Sequence, residues 1–260
     1  MSLDGRVAVV TGGGGHLGQA MAEALGELGA CLVLVDIAKT ESEAAACKLR
    51  TKLRVDALAL VVDLADEGAL AAVPRKVLSE FGSLDILINN AALGGTSPLP
   101  GWSVPFADQT SATWRLAIEV NLTAPFVLTR ESAPALAVSG HGSVINIGSI
   151  YGLVGPNEHL YEGTSLGNPA AYAASKGGLL QLTRWLATVL SPKVRVNAIT
   201  PGGLLRDQPQ AFIKRYEALT PLGRMGREED LKGAVAYLAS DLSAYVTGQN
   251  LVVDGGWTVW

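Results

Sequence analysis

Val7-Ala8-Val9-Val10-Thr11-Gly12-Gly13-Gly14-Gly15-His16-Leu17-Gly18 reads as a strand, a turn and the first residues of a helix. Val7 to Val10 is wholly apolar, as expected of a parallel strand covered on both faces. The glycines end it, and an amphipathic helix follows from about Leu17 to Leu28. Glycines allow a tight turn and close backbone approach. The helix behind them offers its N-terminal amides to an anion such as a pyrophosphate. Gly13, Gly15 and Gly18 also satisfy the G-x-G-x-x-G spacing. That spacing is weak evidence alone; its place between a strand and a helix gives it weight.

From this unit outward the chain alternates by rule. Cys31 to Val35 is a second apolar strand ending at Asp36, and a helix rich in Ala and Glu follows from about Thr40 to Lys52. Ala57 to Val62 ends at Asp63 and leads into a helix from about Glu67 to Phe81. Leu84 to Ile88 ends at Asn89-Asn90-Ala91. Beyond a loop over 93–110, a long helix is expected from about Ala112 to Val138, then a strand from Ser143 to Ile147 ending at Gly148-Ser149. An irregular stretch, Tyr151 to Pro169, precedes the helix that carries Tyr172. Val194 to Ile199, two short helices (Gln210 to Ala218, Glu228 to Ser240) and a last strand, Asn250 to Val253, complete the chain. Strict alternation predicts right-handed βαβ units. The expected fold is α/β: a doubly wound parallel sheet of about seven strands with helices on both faces.

The 260 residues suit one domain, 1–260, with no linker to divide it. With 48% hydrophobic and 17% charged residues, the chain can bury a large core. A net charge of -4 without a basic block argues against a nucleic-acid partner. Cys31 and Cys47 read as buried thiols in a reducing cytoplasm rather than as a disulfide. No apolar run approaches the length of a membrane span, and Met1 to Gly5 carry no leader pattern. A soluble cytoplasmic protein is expected.

In open parallel sheets, ligands bind beyond the carboxyl ends of the strands. Gly12 to Gly18, Asp36, Asp63, Asn89-Asn90 and Ser149 all fall at such ends. Asp36 lies eighteen residues after Gly18, where a carboxylate accepts hydrogen bonds from the ribose hydroxyls of a dinucleotide. Its charge repels a 2′-phosphate, and Lys39 alone stands near to offset it, so NAD is expected in preference to NADP. Asp63, with Leu64 beside it, either lies close to the adenine or caps the following helix.

Tyr172 and Lys176 stand four apart and share a helix face. The run Leu179, Leu180, Leu182, Trp185, Leu186 and Val189 puts the pair in that helix's first turns. A free tyrosine titrates near ~10, and an adjacent ammonium lowers that value by stabilising the phenolate. The pair is therefore a candidate proton donor and acceptor near neutrality. Taken alone, the spacing is common by chance.

Together the motifs resemble the short-chain dehydrogenase/reductase family over essentially the whole chain. The matching positions are Thr11-Gly12…Gly18, Asp63, Asn89-Asn90-Ala91, Asn121, Ser149, Tyr172…Lys176 and Pro201-Gly202. The resemblance implies a single-domain Rossmann fold and an NAD(P)-dependent oxidoreductase acting on CH–OH groups. It implies Tyr172 as general acid/base, and Lys176 as ligand of the nicotinamide ribose and depressant of the tyrosine pKa. Ser149 would hydrogen-bond the substrate oxygen, and Asn121 would hold a relay water. Gly12, Gly14, Gly15, His16, Leu17 and Gly18 would hold the cofactor's phosphates, Asn90 and Ala91 its edge, Pro201 and Gly202 its nicotinamide. A homotetramer built on the helices carrying Asn121 and Tyr172 is implied, with a small-molecule substrate and no metal.

Three departures stand out. His16 replaces a glycine usual in the family's cofactor turn, and it faces either a phosphate or solvent. Ser149 and Tyr172 are 23 residues apart, longer than usual, because of an insertion over Gly155 to Ser165. Arg206 replaces a threonine that often contacts the carboxamide. The insertion joins the two reacting side chains, so it is expected near the reacting carbon. Its Asn157, Glu158, His159, Tyr161 and Glu162 suit a polyhydroxylated substrate, or else the loop packs on a neighbouring subunit.

Gly148 to Gly152, Tyr161 to Thr164 and Pro201 to Pro209 are similar to a subgroup linked to flagellin or surface-polysaccharide sugar biosynthesis. Leu204 to Thr220 would be a lid, with Arg206, Lys214 and Arg215 meeting a phosphate or nucleotide on a sugar, or Lys214 and Arg215 forming a solvated helix face. Trp102 and Phe106 would wall the pocket, and Trp257 and Trp260 would be buried at a subunit contact. Two rivals remain: a 3-oxoacyl-thioester (acyl-carrier-protein) reductase, which shares the core motifs, and a silent dinucleotide-binding regulator.

Overall fold

The computed structural model describes residues 2–94 and 97–260. Met1, and Gly95 and Thr96 of the expected 93–110 loop, lie outside the described residues. The elements run β1 (Val7–Thr11), α1 (His16–Gly26), β2 (Cys31–Asp36), α2 (Lys39–Leu53), β3 (Ala57–Val61), α3 (Glu67–Phe81) and β4 (Ile86–Asn89). Then come α4 (Ser111–Ile118), α5 (Ala124–Ser139), β5 (Gly142–Ile147), α6 (Ala170–Leu190) and β6 (Val194–Pro201). α7 (Gln210–Ala218), α8 (Lys232–Ala239) and β7 (Asn250–Val253) follow.

The seven strands form one sheet in the order β3-β2-β1-β4-β5-β6-β7, and every pairing is parallel. Successive side chains of β1 point to opposite faces. Ala8 and Val10 join Leu32, Leu34, Met21, Leu25, Val235 and Leu238 in one apolar layer. Val7 and Val9 join Val33, Val35, Val73, Val77 and Leu128 in the other. That double burial is why the strand is apolar throughout. Sequence order reverses between β1 and β4, which opens a crevice at their carboxyl ends.

The single long helix expected over 112–138 is interrupted. A π-helical turn, Glu119–Thr123, separates α4 from α5. Pro125 sits in the first turn of α5 and has no N–H to give the carbonyl of Asn121, four residues back. The regular ladder cannot pass that point, and the wider turn absorbs the break. β4 begins at Ile86 rather than Leu84. Just before it, buried Asp85 accepts the Val7 N–H (2.8 Å) and the Ser83 hydroxyl (2.9 Å). Both cysteines are free, as expected, but Cys31 is half-buried and Cys47 exposed. Among the described residues, no helix is long and apolar enough to cross a membrane.

Candidate active site

The glycine turn is clamped from two sides. Gly12 has φ +65°, and a Cβ there would lie 2.8 Å from Asn90 Nδ2. That nitrogen donates to the carbonyls of Thr11 (2.8 Å) and Gly12 (3.3 Å). Thr11 Oγ1 accepts the N–H groups of Asn90 (2.9 Å) and Ala91 (3.1 Å). The end of β4 thus fixes the turn that follows β1. Gly18 brings α1 against the turn so closely that a Cβ would sit 2.0 Å from the Gly12 oxygen. Gly15 caps α1 with extended backbone and no side-chain hydrogen bond, and among the described residues no side chain claims the amides of His16, Leu17 and Gly18. His16 is exposed at this first turn.

Asp36, at the end of β2, faces the same turn. Its Oδ2 accepts the Gly14 N–H and its Oδ1 the Ala38 N–H, each at 2.9 Å. Lys39 turns to Glu43 (3.9 Å), away from the role of a counter-ion to Asp36. Asp63 does not cap α3; it accepts the Ala65 N–H (2.9 Å), and Asp66 is the cap, accepting from Ala69 (3.0 Å). Leu64 is buried beside Asp63. An open glycine cradle, an uncapped helix start and a carboxylate at the end of β2 fit a dinucleotide.

The second half of the site stands at the ends of β5 and β6. Ser149 follows β5, and its Oγ accepts the Tyr151 N–H (3.2 Å). Ser149 also acts on the nearby Tyr172 phenol and pulls its pKa down. Burial is the larger effect and leaves the Tyr172 pKa above its ordinary value. The sequence reading had the Lys176 ammonium lowering it. In the structure Lys176 Nζ lies 5.8 Å from the centre of the tyrosine ring and donates to the Ile147 carbonyl (2.7 Å). Burial brings the Lys176 pKa down to about 8.

Asn121 is fully buried in the π turn. Its Nδ2 donates to the Leu93 carbonyl and to Ser175 Oγ, both at 3.1 Å, and its Oδ1 accepts the Leu93 N–H (2.7 Å). It therefore reaches α6 one residue from Lys176. Gly202 donates its N–H to the Val253 carbonyl (3.0 Å), and a Cβ on it would lie 2.8 Å from the Asp254 backbone. Pro201 closes β6 beside it.

Several flanking side chains lie elsewhere than the sequence suggested. Arg206 pairs with Glu228 (2.9 Å). Phe106 is 84% exposed, and Trp102 is buried with its indole N–H on the Gly94 carbonyl (2.6 Å). Trp257 is buried within its own chain, stacked on Tyr216 (5.8 Å); Trp260, by contrast, is 78% exposed on the single chain, which agrees with the subunit contact expected of it. The insertion is polar on its outer face, where Asn157, Glu158, His159 and Glu162 are exposed. Its inner face is apolar: Leu160, Tyr161 and Leu166 pack on Phe212, Tyr216 and Trp257.

Positioning groups that the sequence did not reveal lie beneath the site. Asn89 Nδ2 donates to Asn146 Oδ1 (2.8 Å), and Asn146 Nδ2 donates to Thr183 Oγ1 (2.9 Å). This buried chain ties β4 and β5 to the helix carrying Tyr172. Only the polar Asn146 inside an apolar strand signals it in the sequence.

A parallel sheet with a glycine cradle at its switch point, and Ser149, Tyr172 and Lys176 grouped at its carboxyl edge, define a dinucleotide-dependent oxidoreductase fold. The sequence model of the family described as Enoyl-(Acyl carrier protein) reductase matches residues 16–258. The chain belongs to the short-chain dehydrogenase/reductases, oxidoreductases that act on CH–OH groups. It is 34% identical over 258 residues to cis-4-hydroxycyclohexanecarboxylate dehydrogenase of Sinomonas cyclohexanicum, covering 97% of this chain and 96% of the relative. The NAD+-bound structure of a xylitol dehydrogenase superposes with TM-score 0.88 at 29% identity, covering 98% of this chain and 100% of that one. A gluconate 5-dehydrogenase of Burkholderia cenocepacia, solved with NADP and tartrate, gives TM-score 0.88 at 29% identity over 100% and 97%.

Proposed function

We propose that the protein is an NAD-dependent dehydrogenase that interconverts a secondary alcohol and a ketone on a small, polar, sugar-like molecule. The observation that carries this reading is the grouping of Ser149, Tyr172 and Lys176 at the sheet's carboxyl edge, with Lys176 one helical turn after Tyr172 on α6 and its Nζ 5.8 Å from the tyrosine ring centre. A bound nicotinamide supplies the hydride acceptor or donor. In oxidation, the phenolic oxygen of Tyr172 takes the alcohol proton while Ser149 Oγ hydrogen-bonds the same substrate oxygen. Lys176 Nζ, fixed on the Ile147 carbonyl, would hold the nicotinamide ribose. Asn121 fixes the start of α6 through Ser175. Gly12 to Gly18 cradle the phosphates, with Asp63 and Leu64 at the adenine, Asn90 and Ala91 along the edge, and Pro201 and Gly202 at the nicotinamide.

The preference for NAD rests on Asp36, whose carboxylate suits ribose hydroxyls and repels a 2′-phosphate, with Lys39 drawn to Glu43. Dissociation constants by calorimetry are expected to favour NAD over NADP by about tenfold or more, the equivalent of about 1.4 kcal/mol. Tighter NADP binding would reverse the assignment and revive the acyl-thioester reductase. Sugar-like substrates, including those of surface-sugar biosynthesis, belong to the same proposal; the polarity of the insertion's outer rim supports them, while its inner face is apolar.

The oligomer is part of the same reading. Trp114 and Leu116 of α4, Trp185 and Val189 of α6, and Leu251 and Val252 of β7 are exposed apolar side chains. On three elements, such surface suits burial against copies of the chain. Sedimentation is expected to give a tetramer of the 27.0 kDa chain, and a monomer would remove this part of the proposal. The free thiols suit a cytoplasmic location.

A further inference from the structure

The insertion folds around a pair of phenols. Tyr151 stands two residues after Ser149, and Tyr161 ends a short helical turn, Glu158–Tyr161. Their hydroxyl oxygens are 2.5 Å apart. Among the described residues, neither hydroxyl has another hydrogen-bond partner. The rings are braced from behind. Tyr161 packs on Phe212 (5.6 Å between ring centres), and Tyr151 stands edge-on to Trp257 (6.4 Å). Arg215 of α7 holds the segment, donating from Nη1 to the carbonyls of Leu160 (3.4 Å) and Glu162 (2.6 Å).

Burial pushes the Tyr161 phenol up to about 12 and the Tyr151 phenol higher still, and the charge of Tyr172 acts on both. Both are therefore neutral, and Tyr151 sits beside the site, its backbone N–H donating to Ser149 Oγ (3.2 Å). Two phenols joined by one hydrogen bond leave one O–H proton and several lone pairs uncommitted. The Trp257 indole N–H, on the Tyr151 side, is buried without a partner among the described residues.

We propose that the Tyr151–Tyr161 pair binds a second, uncharged oxygen of the substrate, a hydroxyl away from the carbon that is oxidised. The pair then selects polyols over monohydric alcohols and over hydroxy acids. This inference rests on the dehydrogenase reading above. Charge decides against a carboxylate at this point: Glu158 already acts on both phenols, and Arg215 commits its Nη1 to backbone carbonyls. A site that pairs its own polar groups with a substrate hydroxyl discriminates strongly against analogues lacking it.

The test compares xylitol, cyclohexanol and cis-4-hydroxycyclohexanecarboxylate as substrates of the wild type, Tyr151→Phe and Tyr161→Phe. NAD affinity serves as the check on folding. The wild type is expected to prefer xylitol. Each variant is expected to lower the xylitol-to-cyclohexanol ratio of kcat/KM about tenfold or more, chiefly through KM. Xylitol binding to the NAD-saturated protein, measured by calorimetry, should weaken to match. Unchanged ratios and affinities in both variants, or a wild type that prefers the hydroxy acid, would overturn the role of the pair and leave the dehydrogenase reading standing. A wild type that neither oxidises any of the three nor binds xylitol would overturn both.

Discussion

Tyr172→Phe is expected to lower turnover of every alcohol by about a thousandfold, while NAD affinity stays within about twofold. The phenylalanine keeps the ring, the helix and the packing, and removes only the hydroxyl that meets Ser149. Loss of one positioned acid/base group accounts for a loss of roughly 10²–10⁴. Steady-state kinetics beside a binding titration separates the two effects. A variant that keeps a tenth of the activity would remove Tyr172 from the chemistry. A pH dependence of stated sign accompanies this. Burial holds the Tyr172 pKa high, so the proton-accepting phenolate is the scarce form at neutrality. Alcohol oxidation should therefore rise as pH increases from neutral, while ketone reduction should stay level until the pH approaches the raised pKa and only then fall.

Gly18→Ala is the second large effect. An alanine Cβ would lie 2.0 Å from the Gly12 oxygen and 2.8 Å from the Gly12 carbonyl carbon. Both are backbone atoms, and neither can rotate away. The turn or the start of α1 must move, and the turn is already held by Asn90 and Thr11. Overpacking of this kind costs about 1–3 kcal/mol, which denaturant unfolding will register. The displaced amides should weaken NAD binding by about a hundredfold or more, since the cradle and the clash share the same atoms. Gly82→Ala is a useful contrast: its φ of +76° imposes strain, but a Cβ there meets nothing within 4 Å. It should lose some stability and keep its affinity for NAD.

The βαβ order was legible because each strand of the sheet's centre is apolar on both faces, and because each polar stop marks a carboxyl end. Gly12 through Gly18, Asp36, Asn90 and Ser149 stand at the carboxyl ends of their strands, as their positions in the alternation implied, whereas Tyr172 and Lys176 came from the helix spacing and the family resemblance. What escaped the sequence depends on contacts between distant segments. The polarity of Glu158, His159 and Glu162 was visible, but the inward turn of Leu160 and Tyr161 onto α7 was not. Arg206 read as free because its partner, Glu228, is over twenty residues away. The sign of the Tyr172 shift was missed for a related reason. Spacing on a helix reports which groups are neighbours, whereas burial, set by the whole fold, decides how much a neighbouring charge matters.

The π turn at Glu119–Thr123 acts as a phase adjuster between two helices. One residue on an α-helix is worth about 100° of rotation. Deleting a single residue there would remove the extra residue of the wide turn, though not the gap left by Pro125, and swing Trp114 and Leu116 round the axis relative to everything in α5. The inward amide of Asn121 and the exposed Trp114 and Leu116 of α4 are thus set by the same local misregister, so a length change at this point would move both.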